Sequence, residues 1–281
     1  DVEPSMWRRL ALMIRDAYDD YDGFVVLHGT DTMAYSASAL SFMLENLGKP
    51  VIFTGSQLPI GAPRTDGKEN LVSAVEIASA KRPDGRPVIN EVAIYFGSKL
   101  LRGNRSTKVN SESFEAFSSP NLEPLAVAGI NIRYNDRILL PRPVSPLVVH
   151  TELDTRVSIL KIHPGITPSV VRDVLLGSDT RAVIIETYGA GNAPSKEWFL
   201  DLVRQASQAG KILVNVTQCL AGEVNMDLYA TGHNMKMCGV VSGNTSTTEA
   251  MLAKLFYLLG TGMDNSRIKA QLALPLRGEI L

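Results

Sequence analysis

Cysteine, excess charge of either sign and long apolar runs are all scarce in this sequence. Only Cys219 and Cys238 occur, too few for a disulfide framework or a thiolate zinc site, and this usage fits a reducing, cytoplasmic setting. Cys219 ends an apolar run and is expected to be a small buried hydrophobe. The 28 basic and 29 acidic side chains leave a formal net charge of -1. Without a Lys/Arg run there is little to neutralise the phosphates of a nucleic acid or an acidic membrane. No apolar stretch approaches the ~20 residues that a bilayer crossing needs, and Asp1-Val2-Glu3-Pro4 offers neither a basic n-region nor an apolar h-region. The G-x-G-x-x-G and G-x-x-x-x-G-K-[ST] phosphate cradles are missing, as are H-E-x-x-H, C-x-x-C and G-x-S-x-G. His28, His150, His163 and His233 lack ligand spacing and read as turn or packing residues. Residue 1 is Asp rather than Met, and a segment upstream of it is expected to be missing.

What is present is an ordinary globular composition, 281 residues with 45% hydrophobic and 20% charged side chains. At roughly 150 residues per domain this predicts two domains. The spacing of Trp7, Leu10, Ala11 and Ile14 behind Pro4 predicts an opening helix. Short β-branched runs at 24–27, 51–53 and 92–96 then alternate with helical patterns over 34–47 and 68–79, the signature of a parallel α/β sheet. Residues 100–149 read as irregular hairpins and a linker. Alternation resumes with strands at 158–162, 182–186, 212–216 and 239–242 and helices at 169–175, 196–209 and 247–258. The fold class is α/β, two doubly wound domains: a larger N-terminal one with a parallel-rich sheet over 1–150 and a smaller flavodoxin-like one over 157–281. The polar stretch 151–156 serves as linker.

Ligands of open parallel sheets bind beyond the carboxyl ends of the strands. The polar residues there are His28, Thr30, Asp31 and Thr32, then Thr54, Ser56 and Gln57, then Ser98 and Lys99. The second half offers His163, Tyr188, Asn192, Thr217, Gln218, Asn244 and Thr245. Hydroxyls and amides dominate, which suits a small polar ligand and is poor in the imidazole-carboxylate clusters that metals prefer. A Thr hydroxyl activated by a lysine that a carboxylate orients needs neither histidine nor metal. Thr30, Asp31 and Lys108 could form such a set. Equally, Asp31 or Thr32 could cap the helix that follows, and Lys108 could be a solvated surface lysine.

The stretch YDGFVVLHGTDTMA over 21–34 resembles the second signature of the bacterial-type L-asparaginases. The resemblance extends through SFMLENLGKPVI at 41–52, TGSQ at 54–57, RGNRSTK at 102–108, SPNL at 119–122, YGAGNAP at 188–194 and LRGE at 276–279. It spans nearly the whole chain in the family's order and is closest to the cytoplasmic type I branch. It implies hydrolysis of L-asparagine to L-aspartate and ammonia with no metal or cofactor. It also implies a homodimer or a homotetramer built as a dimer of dimers. Carried over motif by motif, Thr30 is the second catalytic threonine, Asp31 holds the substrate's α-amino group and Lys108 is the base-like partner of Thr30. Ser56 lines the amide end of the pocket, and Asn192 is the candidate contribution of a neighbouring subunit. A family-like dimer would hide part of the apolar surface of the 34–47 helix.

Two departures from the family stand out. The first signature, Thr-Gly-Gly-Thr-Ile, which carries the threonine usually assigned as nucleophile, occurs nowhere in the sequence, nor does the Asp-Ser-Ser turn for the substrate α-carboxylate before Asp1. The effector site of some type I enzymes maps to Thr107, Glu186 and Cys219, with Glu186 standing where those enzymes carry an arginine. A carboxylate cannot pair with an effector's carboxylate, which predicts weak or absent allostery. Two other functions fit the same motifs: an ammonia-generating subunit of a transfer-RNA amidotransferase, and a non-catalytic two-lobed amino-acid-binding protein.

Overall fold

In a computed structural model covering residues 1–281, the short β-branched runs become strands of two main sheets, one in each of two units, Asp1–Glu152 and Leu153–Leu281. In the first unit Phe24–Leu27, Val51–Thr54 and Val92–Phe96 lie side by side in parallel. The sheet then turns antiparallel through Lys99–Arg102, Ala126–Ala128 and Ile132–Tyr134, so part of the 100–149 stretch completes the sheet. The reversal is a two-residue turn at Gly97 and Ser98, with φ of +56° and +65°, the left-handed pair that tight hairpins demand. A Cβ at Gly97 would sit 2.8 Å from the Phe114 carbonyl oxygen, so only glycine fits.

The opening helix forms at Pro4–Asp16 and buries Trp7, Ala11 and Ile14. The next helix is shorter than its apolar pattern predicts. It spans Met33–Met43, and Leu44–Glu45 leaves it to pair with Val148–Val149, a partner about a hundred residues away that no local pattern reveals. Every residue of this helix except Tyr35 is buried. Its small side chains allow that closeness: the Cβ position of Gly103 lies 3.0 Å from Ala37 Cβ, and Trp7 Nε1 donates to Ser36 Oγ at 2.8 Å. The apolar surface expected to await a dimer partner is thus covered within the unit itself.

In the second unit Val157–Lys161, Ala182–Thr187, Ile212–Thr217 and Val241–Ser242 run parallel in chain order. Val183, Ile185 and Leu213 pack with Phe199, Leu202 and Val203 of helix Glu197–Gln208 and with Val171 and Leu175 of helix Pro168–Leu176. The alternate residues Ile184 and Val214, also fully buried, face the other side of the pleat. Helix Thr248–Gly260 packs on the first two strands. Two helices escaped the sequence reading, Ala230–Met237 and Asn265–Leu272. The second is started by Asp264, whose carboxylate accepts the Arg267 N–H at 3.0 Å.

Asp154 receives Arg156 and Arg181. The Arg156 guanidinium above all holds its carboxyl well below the usual carboxylate range. A depressed carboxyl contributes stability that is present above its ordinary value and lost as pH falls below it. Asp154→Asn is therefore expected to flatten the loss of stability on acidification below about pH 4, read as melting temperature against pH. A variant with the same acid slope as the parent would contradict this. Cys219 is exposed, contrary to expectation, because the strand stops at Thr217 and Cys219 falls in the turn beyond it, its N–H bonded to Thr217 Oγ1. No helix is long and apolar enough to cross a membrane.

Candidate active site

Thr30 and Asp31 sit in the turn between strand Phe24–Leu27 and helix Met33–Met43. Capping does not occupy them. Thr32 makes no side-chain cap bond, and the Asp31 carboxylate turns to Lys108. Lys108 Nζ lies 2.7 Å from Asp31 Oδ1 and 2.8 Å from Thr30 Oγ1. The Thr30 hydroxyl in turn donates to Gln57 Oε1 at 3.3 Å, and Gln57 Nε2 donates to the Ser113 carbonyl at 3.0 Å. The Lys108 side chain is only 18% exposed whereas that of Asp31 is 92% exposed. The cation is therefore recessed and the carboxylate presented outward. The Lys108 hydrogen bond, then its charge, holds the Asp31 carboxyl below its ordinary value, so it stays an anion through the neutral range.

Lys108 comes from far along the chain, and its placement is built in layers. Thr107–Lys108 pairs with Phe117–Ser118 in a two-residue antiparallel ladder, and Phe117 packs against Phe96 with ring centroids 5.1 Å apart. Upstream, Ser106 Oγ donates to the Arg102 carbonyl. The buried Arg102 guanidinium meets Glu91 at 2.5 Å and the Ile138 carbonyl at 2.5 Å. Arg105, 2% exposed, reaches the Asn121 carbonyl at 3.1 Å. Arg102 and Arg105 are thus interior wiring and not surface charge.

The turn after Val51–Thr54 carries Ser56 and Gln57. Asp66 holds it by accepting the Gln57 N–H at 3.0 Å, the Leu58 N–H at 3.2 Å and Asn70 Nδ2 at 3.1 Å. The Ser56 hydroxyl faces Gly67, where a Cβ would come within 3.4 Å of it. Asp66→Ala leaves two backbone donors without their acceptor, an expected cost of about 1–3 kcal/mol, checked by urea unfolding. A midpoint unchanged from the parent would show that the turn does not need the carboxylate. Gln57 and Asp66 are the residues that sequence reasoning failed to assign. Gln57 was visible directly after a strand, but nothing local disclosed that its carboxamide oxygen accepts the Thr30 hydrogen bond.

The other candidates lie elsewhere. Asn192 is in the second unit, on a tight loop closed by Tyr188 N–H to Asn192 O at 2.9 Å and the reciprocal bond at 2.8 Å. Of the effector candidates, Thr107 lies on the ladder beside Lys108, and Glu186 and Cys219 belong to the second unit. The Glu186 carboxylate accepts Thr248 Oγ1 at 2.6 Å and has Lys161 Nζ at 3.7 Å. His28 is held between Ser36 Oγ at 2.9 Å and the Gly29 carbonyl at 2.6 Å, a packing role. No group of three or more His, Cys, Asp or Glu side chains is placed to hold a metal ion.

Two family models match the chain: asparaginase, N-terminal, over residues 1–140, and the glutaminase/asparaginase C-terminal domain over 156–272. L-asparaginase 1 of Escherichia coli (strain K12) is 48% identical over 280 residues, spanning all of this chain and 81% of that protein. The crystal structure of L-asparaginase I from Vibrio cholerae superposes with a TM-score of 0.92 at 46% identity, covering the whole chain and 83% of that one. The L-asparaginase of Thermococcus kodakarensis is 35% identical over 282 residues, spanning 99% of this chain and 82% of that protein. With both halves matched by the family's models and relatives this similar along its whole length, the chain belongs to the asparaginase family.

Proposed function

We propose that the protein hydrolyses the side-chain amide of L-asparagine to L-aspartate and ammonia. The observation that carries this reading is the row Asp31, Lys108, Thr30, Gln57, in which one lysine touches a carboxylate and a hydroxyl at once. The outward Asp31 carboxylate suits the substrate's α-ammonium. In its neutral form Lys108 takes up, through the Thr30 hydroxyl it contacts, the proton that the attacking hydroxyl loses as it bonds to the amide carbon. The proton returns to the nitrogen as the C–N bond breaks and ammonia leaves, and water then cleaves the acyl link to release L-aspartate. The family resemblance assigns the attacking hydroxyl to a Thr-Gly-Gly-Thr-Ile signature, which residues 1–281 do not contain. Ser56 lines the amide end of the pocket and Asn192 reaches the site from a neighbouring subunit. Similarity to two L-asparaginases along the whole chain supports the reading.

The test is ammonia release from L-asparagine by the full-length protein. Release abolished by Thr30→Ala supports the proposal. Tight binding of asparagine or aspartate with no ammonia at any pH overturns it in favour of a binding protein. Release that requires a second protein and transfer RNA overturns it in favour of an amidotransferase component.

In the same reading residues 1–150 form the N-terminal asparaginase domain, 151–156 the linker and 157–281 the C-terminal domain. The protein works in the cytoplasm as a homodimer or a dimer of dimers. The set Thr107, Glu186 and Cys219 gives no strong effector response, since Glu186 already serves Thr248 and Lys161. The rate is expected to rise hyperbolically with asparagine. A sigmoidal curve that Glu186→Ala abolishes would contradict this.

A further inference from the structure

The Asn192 side chain is not left to choose its own orientation. Thr231, in the first turn of helix Ala230–Met237, brings its Oγ1 to 2.8 Å from Asn192 Oδ1. A threonine hydroxyl owns a single proton, and this contact uses it. With the carboxamide turned over, Oγ1 would accept from Nδ2 and its own proton would have to turn to solvent, so the observed orientation is the one in which Thr231 gives its proton to Asn192. It directs both Nδ2 hydrogens away from Thr231, where no group of the chain receives them.

The backbone beneath is equally fixed. Gly191 has φ of +108°, and a Cβ there would meet Val224 Cγ1 at 2.9 Å and Asn215 Nδ2 at 3.0 Å. Asn215 Nδ2 donates to the Gly191 carbonyl at 3.0 Å, and Thr187 Oγ1 donates to Asn215 Oδ1 at 2.6 Å. Asn225 N–H closes the other side on the Ala190 carbonyl at 3.0 Å. With the main chain held, the remaining freedom at Asn192 is the rotation of its side chain, and Thr231 removes it.

We infer that Thr231 is a positioning residue that fixes Asn192 as a hydrogen-bond donor, so that the substrate group it meets is an oxygen of a carboxylate or amide and not the α-ammonium. This rests on the reading of Asn192 as a substrate contact. It divides recognition of a zwitterion between two residues of opposite demand: Asp31 for the cationic group, Asn192 for an oxygen.

The test is steady-state kinetics on the full-length protein. Thr231→Val keeps the shape and deletes the hydroxyl. It is expected to raise KM for L-asparagine about five- to tenfold, the effect of one lost orienting hydrogen bond, with kcat within about twofold and the melting temperature unchanged. Thr231→Ser is expected to restore KM. Asn192→Asp replaces the donor by an oxygen and is expected to raise KM by tenfold or more. If Asn192→Asp lowers KM, the group it meets is the ammonium and the donor assignment is overturned. If Asn192→Ala raises KM while Thr231→Val does not, the positioning role is overturned. If Asn192→Ala leaves KM unchanged, the reading of Asn192 as a substrate contact fails instead.

Discussion

Lys108→Met is expected to lower kcat for ammonia release by about a hundred- to ten-thousandfold, the range for removing a positioned proton-transfer group. The substitution keeps the aliphatic stem in its recess and deletes only the nitrogen that joins Asp31 Oδ1 to Thr30 Oγ1. Lys108→Arg separates the two things that nitrogen does. A guanidinium still pairs with Asp31 but does not give up a proton in a protein, so arginine is expected to leave the rate low. Recovery of turnover in Lys108→Arg would show that charge alone is needed and would end the base assignment. The same contact sets a pH dependence. Lys108 holds the Asp31 carboxyl below its ordinary value of 3.8, so the anion proposed to bind the ligand persists at neutral pH and is lost as pH falls through the depressed value. In Lys108→Met the carboxyl returns toward its ordinary range. L-aspartate binding by that variant, followed calorimetrically, is therefore expected to fail at higher pH than in the parent.

Reading the sequence locates the strands and the polar turns well, because a buried parallel strand is a short β-branched run and its end is marked by a change to polar residues. Val51–Thr54, Val92–Phe96 and Ala182–Thr187 are of this kind, whereas Phe24–Leu27 shows the same run of apolar residues on a strand that is half-buried, with Leu27 exposed. Thr30 and Asp31 follow from that pattern alone. What the pattern cannot carry is any choice made by a distant partner. Leu44–Glu45 looks like two more helical residues until Val148–Val149 claims them. Helix Ala230–Met237 has Gly232 inside it, which weakens any helical pattern. That glycine is needed because its Cβ position is 3.0 Å from Met226. Lys108 stands 78 residues from Thr30; residue chemistry left its pairing as one reading beside a solvated surface lysine, and the family resemblance singled it out. Gln57 and Thr231 matter through which atom of a side chain faces which, information that residue types do not contain.

Lys254→Met is expected to destabilise the protein by about 3–5 kcal/mol, the cost of leaving a buried charge without its counterion. Lys254 lies in the middle of helix Thr248–Gly260, and both it and Glu279 have fully buried side chains, with Nζ and Oε1 2.6 Å apart. All three ammonium hydrogens are used, on Glu279 and on the Leu272 and Leu274 carbonyls at 3.0 and 2.6 Å. Glu279 also accepts the Leu276 and Arg277 N–H groups at 3.0 and 2.7 Å. One ion pair therefore ties the end of helix Asn265–Leu272 and the tail beyond it to the interior. Burial pushes the lysine toward its neutral form, and Glu279 opposes that shift. Against a total stability of about 5–15 kcal/mol, the loss is expected to lower the melting temperature by roughly 6–20 °C. Lys254→Met combined with Glu279→Gln removes the uncompensated charge and is expected to cost less than the sum of the two single changes. The sign of that coupling separates an ion pair from packing: a methionine fills nearly the same volume, so if packing were the whole role, Lys254→Met alone would unfold at the parent temperature.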